Sequence, residues 1–272
     1  MPPVRRRGVV VLAIALALVF HPASSDEPGE DPPRGEADVW YLGHAGWLVR
    51  TADHLLVFDY TGSIDGRLER GELSPATLSA APVLLFVSHA HADHFKRHVL
   101  DLADRVRDLT VVMGWAEPGI EAVVPSDAEW IDVSGARVLA LHHDFDGIPE
   151  GFFLVRSGGL TIYHSGDHGT WSDPPNPVFR ANNERLAAAA GTIDIAFLAT
   201  FGTRDQSGAV NAGDIHALGT LRPRATFPSH CGGCESRYSA FARIVTERGL
   251  QTRFGVATRP GDRFRYRDGE VQ

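Results

Sequence analysis

From Asp38 onward, apolar positions fall into short runs, alternating or unbroken, separated by polar and glycine-containing stretches. Val39 to Leu42, Trp47 to Arg50 and Leu55 to Asp59 predict three successive strands joined by tight turns, an antiparallel opening meander. Val83 to Val87 is wholly apolar, the pattern of a strand buried on both faces. Phe95, Val99, Leu102, Ala103 and Val106 then recur at helical spacing, with Lys96, Arg97, Asp101, Asp104 and Arg105 opposite, which predicts an amphipathic helix packed on the sheet.

Further strands are expected at Thr110 to Met113, Arg137 to Leu141, Gly151 to Arg156, Leu160 to His164, Ile193 to Leu198, Ala225 to Pro228 and Thr252 to Ala257. Helices are expected near Asn182 to Ala190, Ala212 to Leu221 and Ser236 to Arg248, the last stopped by Gly249. Many strands with interspersed helices predict two sheets flanked by helices, a four-layer αββα sandwich of the α/β class in one domain, and fit a doubly wound parallel sheet less well.

The amino-terminal pattern is different. Arg5-Arg6-Arg7 precede an apolar run from Gly8 to Phe20 and then a small, polar stretch, the layout of a secretory signal peptide over residues 1–25. The run is short for a membrane span, so cleavage and export to the periplasm or medium is the expectation, with an uncleaved anchor as the alternative. Residues 26–36, acidic and Pro-rich, are expected to be a flexible spacer, which leaves 37–272 as the folded domain.

The formal charge of −8 becomes more negative once those three arginines are set aside. Such a surface repels nucleic acid and anionic membranes, which points to a small-molecule substrate and to no stable membrane partner unless the signal is retained.

The chemistry is concentrated where the apolar strand Val83 to Val87 runs into Ser88-His89-Ala-His91-Ala-Asp93-His94. Side chains alternate along an extended chain, so His89 and His91 share a side, while Asp93 and His94 turn away as the helix starts. One short loop can thus serve two neighbouring metal positions. Neutral imidazoles and carboxylates suit zinc, with manganese or iron possible where the carboxylate share is higher. Farther on, an apolar strand ends in Gly166-Asp167 and delivers a carboxylate at a tight turn, and Pro228 with Gly232-Gly233 marks a sharp turn that can present His230. His142 and His143 are neighbours on a strand and point to opposite sides.

The His-x-His-x-Asp-His segment resembles the signature of the metallo-β-lactamase superfamily. Tyr41-Leu-Gly-His-Ala-Gly-Trp-Leu48, Leu55 to Asp59, Thr161-Ile-Tyr-His-Ser-Gly-Asp167 and Phe227-Pro-Ser-His230 are similar, in order, to landmarks of its lactonase-like branch, which includes the ascorbate-phosphate lactonases. The resemblance implies a hydrolase with two divalent ions, zinc first and manganese or iron as alternatives. One ion would be held by His89, His91 and a third histidine, and the other by Asp93, His94 and His230, with Asp167 bridging. The family's spacing favours His143 over His142 as the third histidine. It implies water activated as hydroxide between the ions, with Asp93 orienting it, and an ester, lactone, phosphoester or amide as substrate.

The chain departs from that pattern at His168, where the family has Thr; an imidazole there can bond to Asp167 or face solvent. His44, in its Gly-containing turn, is expected to support a ligand or face substrate. Cys231 and Cys234 flank two glycines directly after His230, and an oxidising compartment would close them into a disulfide that stiffens the loop. His54, His98 and His216 are expected to be solvated, and His164 to pack within or beside its strand. A β-lactamase and a non-catalytic metal-binding protein of the envelope remain the rival readings.

Overall fold

A computed structural model describes residues 31–145, 147–200 and 210–272. The expected signal peptide and the first residues of the spacer lie outside the described residues. Two seven-stranded sheets stack face to face. The first contains β1 (Glu36–Gly43), β2 (Gly46–Arg50), β3 (Leu55–Phe58), β4 (Val83–Val87) and β5 (Leu109–Met113), and its far edge is completed by β13 (Arg263–Arg267) and β14 (Glu270–Val271), in the order β14-β13-β1-β2-β3-β4-β5. The second runs β12-β11-β10-β9-β8-β7-β6, from β12 (Arg253–Phe254), β11 (Ala225–Ser229), β10 (Ile195–Ala199), β9 (Leu160–His164), β8 (Ile148–Ser157) and β7 (Ala136–Phe145) to β6 (Ile131–Val133).

The alternation seen in the sequence is what makes the layers. Inner-facing residues of both sheets, among them Trp47, Phe58, Phe86, Phe153, Phe197 and Phe227, form one core between the sheets. The opposite faces of the same strands are covered separately. Leu48, Val57, Leu85 and Met113 pack under the connections on one side, and Leu139, Phe152, Leu154 and Tyr163 pack under the helices on the other. Those helices are α2 (Pro177–Ala190), α3 (Ala212–Leu221) and α4 (Tyr238–Glu247). Asn176 starts α2 by accepting the Phe179 amide at 2.9 Å, with Pro177 in the first turn where its missing N–H costs nothing.

Strand direction decides where the polar strand ends gather. β3, β4 and β5 are mutually parallel, as are β9, β10, β11 and β12. The segments leaving β3, β4, β9 and β11 therefore converge on one edge of the sandwich, where Asp59, His94, Asp167 and His230 meet.

Several elements differ from the sequence expectation. The helix expected from Phe95 to Val106 is a 3₁₀ turn, Arg97–Leu100, followed by the short α1 (Asp101–Arg105). Lys96 stays extended (φ −133, ψ 125) because the chain is still completing the turn in which His94 and Phe95 donate to the His91 carbonyl. β1 starts at Glu36, inside the expected spacer, because the arginines of β13 pair with Glu36 and Asp38. The strand expected from Thr252 to Ala257 contracts to β12. His54, expected in solvent, is buried, its ring contacting Ser157 Oγ at 2.8 Å and the Ser134 carbonyl at 3.0 Å.

Candidate metal centre

Asp59 follows β3 and takes φ +39, which turns its carboxylate beneath the loop after β4. Oδ1 accepts the Ser88 amide at 2.7 Å, and Oδ2 accepts the Ser88 hydroxyl and the His94 Nδ1–H, each at 2.7 Å. That fixes the His94 tautomer: with the proton on Nδ1, the Nε2 lone pair points away from Asp59. It points at Asp167 Oδ1, 2.9 Å away, and His230 Nε2 approaches the same oxygen at 2.7 Å. A lone pair facing a carboxylate oxygen in a buried place repels unless a proton or a metal cation lies between them. His94 Nε2 and Asp167 Oδ1 are both buried, and neither has a properly directed hydrogen-bond partner.

A second convergence lies alongside. His89 Nε2 stands 2.9 Å from His91 Nδ1 and 3.5 Å from Asp167 Oδ2, while His89 Nδ1 contacts Ser88 Oγ at 2.9 Å. Ligating atoms of His89, His94 and Asp167 lie within 4.8 Å of one another, as do those of His44, Asp93, His94 and His230. Two adjoining sets of imidazole and carboxylate donors that share His94 and border Asp167 fit a pair of divalent ions.

Electrostatics agree with that reading. Burial alone would raise the Asp59 carboxyl, but the imidazoles of His164 and His94 prevail and hold it down at about 2. Burial alone would lower His94, yet Asp59 and Asp167 together push it well above the ordinary imidazole value. Burial also opposes the ionised form of Asp167, and the close imidazoles of His230 and His94 overcome it, holding the carboxyl far below the usual range. Burial and the neighbouring His94 push His89 down to about 4. The two carboxylates and His94 thus favour each other's charged forms, while burial and His94 keep His89 toward the neutral form that a metal ligand takes.

The β1–β2 turn supplies His44, at φ +51. Its carbonyl accepts the His230 amide at 3.1 Å and the Ser229 hydroxyl at 3.2 Å. Its Nδ1 accepts the Gly232 amide at 3.1 Å, so the neutral ring carries its proton on Nε2, 3.2 Å from Asp93 Oδ2. In that tautomer Nε2 has no lone pair for an ion, and although it lies near Asp93 it makes no properly directed hydrogen bond. His230 itself has φ +71, and the loop after it is closed by the Cys231–Cys234 disulfide. Beneath it, Trp47 Nε1–H donates to Ser229 Oγ at 3.1 Å and ties this turn to the inter-sheet core.

Of the adjacent histidines, His142 is engaged at both ring nitrogens, with the carbonyls of Gly114 at 3.0 Å and Pro125 at 2.9 Å. His143 borders a cavity of about 560 Å³ together with His91, Asp93, Glu150 and Asp167, but belongs to neither close donor set. His168 does neither thing expected of it. It is buried between Phe152 and Phe179, with ring centroids at 4.1 and 4.8 Å, and its Nδ1 meets the Tyr163 hydroxyl at 3.2 Å. Burial, with His143 nearby, pushes its imidazole down to about 3. His164 is buried in its strand, stacked on Phe58, with Nε2 at 2.9 Å from the Ala45 carbonyl.

Three participants escape the sequence reading: Asp59, Ser88 and Glu150. Glu150 is 3% exposed and accepts the Asp167 amide, and its Oε1 lies 3.8 Å from His89 Nδ1. Burial and the nearby Asp167 push its carboxyl well above the ordinary value. Asp59 and Ser88 stand at ends of recognisable strands, the one signal available for them.

A family model described as a beta-lactamase superfamily domain matches residues 38–230. A UPF0173 metal-dependent hydrolase from Thermus thermophilus is 28% identical over 246 residues, covering 84% of this chain and 98% of the relative. One from Bacillus licheniformis is 27% identical over 181 residues, covering 59% of this chain and 71% of the relative. Among solved structures, a metallo hydrolase from the archaeon Ignicoccus hospitalis superposes with a TM-score of 0.63 at 15% identity, covering 85% of this chain and 99% of that one. CmlA, described as a diiron β-hydroxylase from Streptomyces venezuelae, superposes with a TM-score of 0.59 at 19% identity, covering 88% of this chain and 55% of that one.

Proposed function

Since the chain belongs to the beta-lactamase superfamily and is a metal-dependent hydrolase, we propose that it works with two divalent ions on an ester, lactone, phosphoester or amide. The observation that carries this reading is the approach of His94 Nε2 and His230 Nε2 to a single oxygen of Asp167, beside the facing nitrogens of His89 and His91. His89, His91 and Asp167 would hold one ion, and Asp93, His94, His230 and Asp167 the other. Ions bound there supply a water that ionises near neutral pH and a positive charge for the oxygen that becomes negative.

The protein's own groups do the positioning. Asp59 fixes the His94 tautomer, so that its free lone pair points inward. His44 Nε2 lies 3.2 Å from one oxygen of Asp93, whose carboxylate is about half exposed and borders the cavity, placed to take a proton from an attacking water. The cavity continues past the donors along Gly169, Thr170 and Trp171 to the first turn of α2, leaving room for a small molecule.

The disulfide beside His230 supports maturation in an oxidising compartment, in keeping with the secretory pattern of residues 1–25. Metal analysis of protein purified without added metal should give close to two equivalents. Hydrolysis should be sought with nitrocefin, simple lactones and bis-aryl phosphodiesters; chelation should abolish it, and Asp93→Asn should lower it at least 100-fold. Undiminished turnover by demetallated protein would overturn the reading.

A further inference from the structure

The large apolar side chains that remain exposed among the described residues are Val124, Trp171 and Val178. Trp171 and Val178, each 53% exposed, border the same cavity as His91, Asp93 and Asp167. Single exposed apolar residues are ordinary on a surface, but a tryptophan and a valine lining one cavity with a set of metal donors mark area that a ligand can cover.

Both residues are held by polar contacts beside them. Thr170, next to Trp171, is 6% exposed; its hydroxyl oxygen accepts the Ser172 amide at 3.2 Å and the Asn176 side-chain amide at 3.1 Å, and its carbonyl accepts the Asn211 side-chain amide at 3.1 Å. Asn211 caps α3, and that helix comes so close that a Cβ on Gly213 would fall 2.7 Å from Thr170 Cγ2. Asn176 also caps α2, whose first turn carries Val178. One side chain thus ties the tryptophan's loop to the valine's helix, so the apolar ledge is built before a ligand arrives and binding is spared the cost of ordering it.

Charge divides the cavity. Asp93 and Asp167 stand among the metal donors, whereas every lining residue from Gly169 to Asn182 is uncharged, and no lysine or arginine borders the cavity among the described residues. A phosphate or carboxylate carried away from the ions would lose hydration there with no cation to replace it. An apolar group meets no such cost and gains about fourfold in affinity for each methylene it buries.

Resting on the two-ion reading, we propose that the substrate carries an uncharged aryl or alkyl group remote from the bond that is cut, and that Trp171 and Val178 select it.

The test is titration calorimetry of protein supplied with zinc, using acetate, butanoate, hexanoate and octanoate, since a carboxylate offers its oxygens to the ions and its chain to the ledge. Octanoate should bind at least about 30-fold more tightly than acetate, and octanedioate and ω-aminooctanoate, charged at the far end, about tenfold more weakly than octanoate. Trp171→Ala should lower octanoate affinity about tenfold and Val178→Ser about threefold, with acetate unchanged in both. Val124→Ser, off the cavity, should match wild type.

Equal affinity for acetate and octanoate, or octanoate binding that Trp171→Ala leaves untouched, would overturn the ledge and leave the two-ion reading intact. Octanedioate bound as tightly as octanoate would overturn the requirement for an uncharged group. Chain-length dependence in folded protein that takes up no metal would uphold the ledge and remove the two-ion reading.

Discussion

The molecule carries two sets of charge pairs that share their geometry and differ in consequence. Under the metal centre, His94 and Asp59 meet at 2.7 Å with 0% and 1% of their side chains exposed. On the outer edge of the first sheet, Arg265 and Arg267 grip Glu36 at 2.7 and 2.8 Å, with the arginines 30% and 57% exposed and the Glu36 side chain 12%. Distance does not separate the two sets, but solvent does. Water and salt reach the arginine side of the edge pairs and screen it, whereas at the centre each partner has given up hydration that only the other can replace. The edge pairs fasten strands, and the buried pair sets which way a lone pair points.

The sharpest way to break this comparison is Asp59→Ala, which strands a buried imidazole. It should cost about 3–5 kcal/mol in urea unfolding, the range for removing one partner of a buried pair. It should also abolish metal uptake in protein that remains folded. A loss no larger than that at an exposed pair would mean that Asp59 does not hold His94 in place.

The second expectation concerns pH in the metal-free protein, and here His168 supplies the contrast. Its folded imidazole is pushed down to about 3, below the unfolded value, so the unfolded chain takes up the proton first. Its contribution is therefore complete above about pH 6.5 and is lost as pH falls toward 3, at up to about 1.4 kcal/mol per pH unit. His168→Phe should flatten unfolding free energy against pH between about 6.5 and 4 by that slope. An unchanged slope would refute the burial argument. Glu36 acts in a lower window. Its carboxyl is held below the ordinary value by the hydrogen bonds from Arg265 and Arg267, so its contribution fades only as pH falls through the carboxylate range.

The smallest effect is expected at the edge itself. Glu36→Gln should leave the denaturation midpoint indistinguishable from wild type at physiological ionic strength. A clear shift would mean that the edge ladder is cooperative.

Legibility in the sequence divides along the same line. His89, His91, Asp93 and His94 are visible because one buried strand and one turn present them together, so adjacency in the chain is adjacency in space. Asp167 and His230 are legible because a glycine or proline turn marks each strand end. Asp59 and Glu150 have no such mark. Asp59 reads as the last residue of a strand, and Glu150 as a polar residue ahead of one; only pairing between strands, β3 with β4 and β7 with β8, reveals their burial. The apolar spacing after His94 overstates the helix there for a related reason. That spacing is real, but the turn that completes the donor set uses the residues that would have begun the helix. His168 shows the reverse error, since no local pattern announces that two phenylalanine rings will enclose it.

The pairing of β13 with β1 joins residues such as Arg267 and Glu36, 231 positions apart. A ribosome must therefore finish nearly everything that carries chemistry before this edge can close. Until then β1 offers an unpaired backbone, the kind of surface on which partly made chains join one another and aggregate. Lesions in β13 should accordingly register as poor yield of soluble chain, with the turnover of whatever escapes left intact.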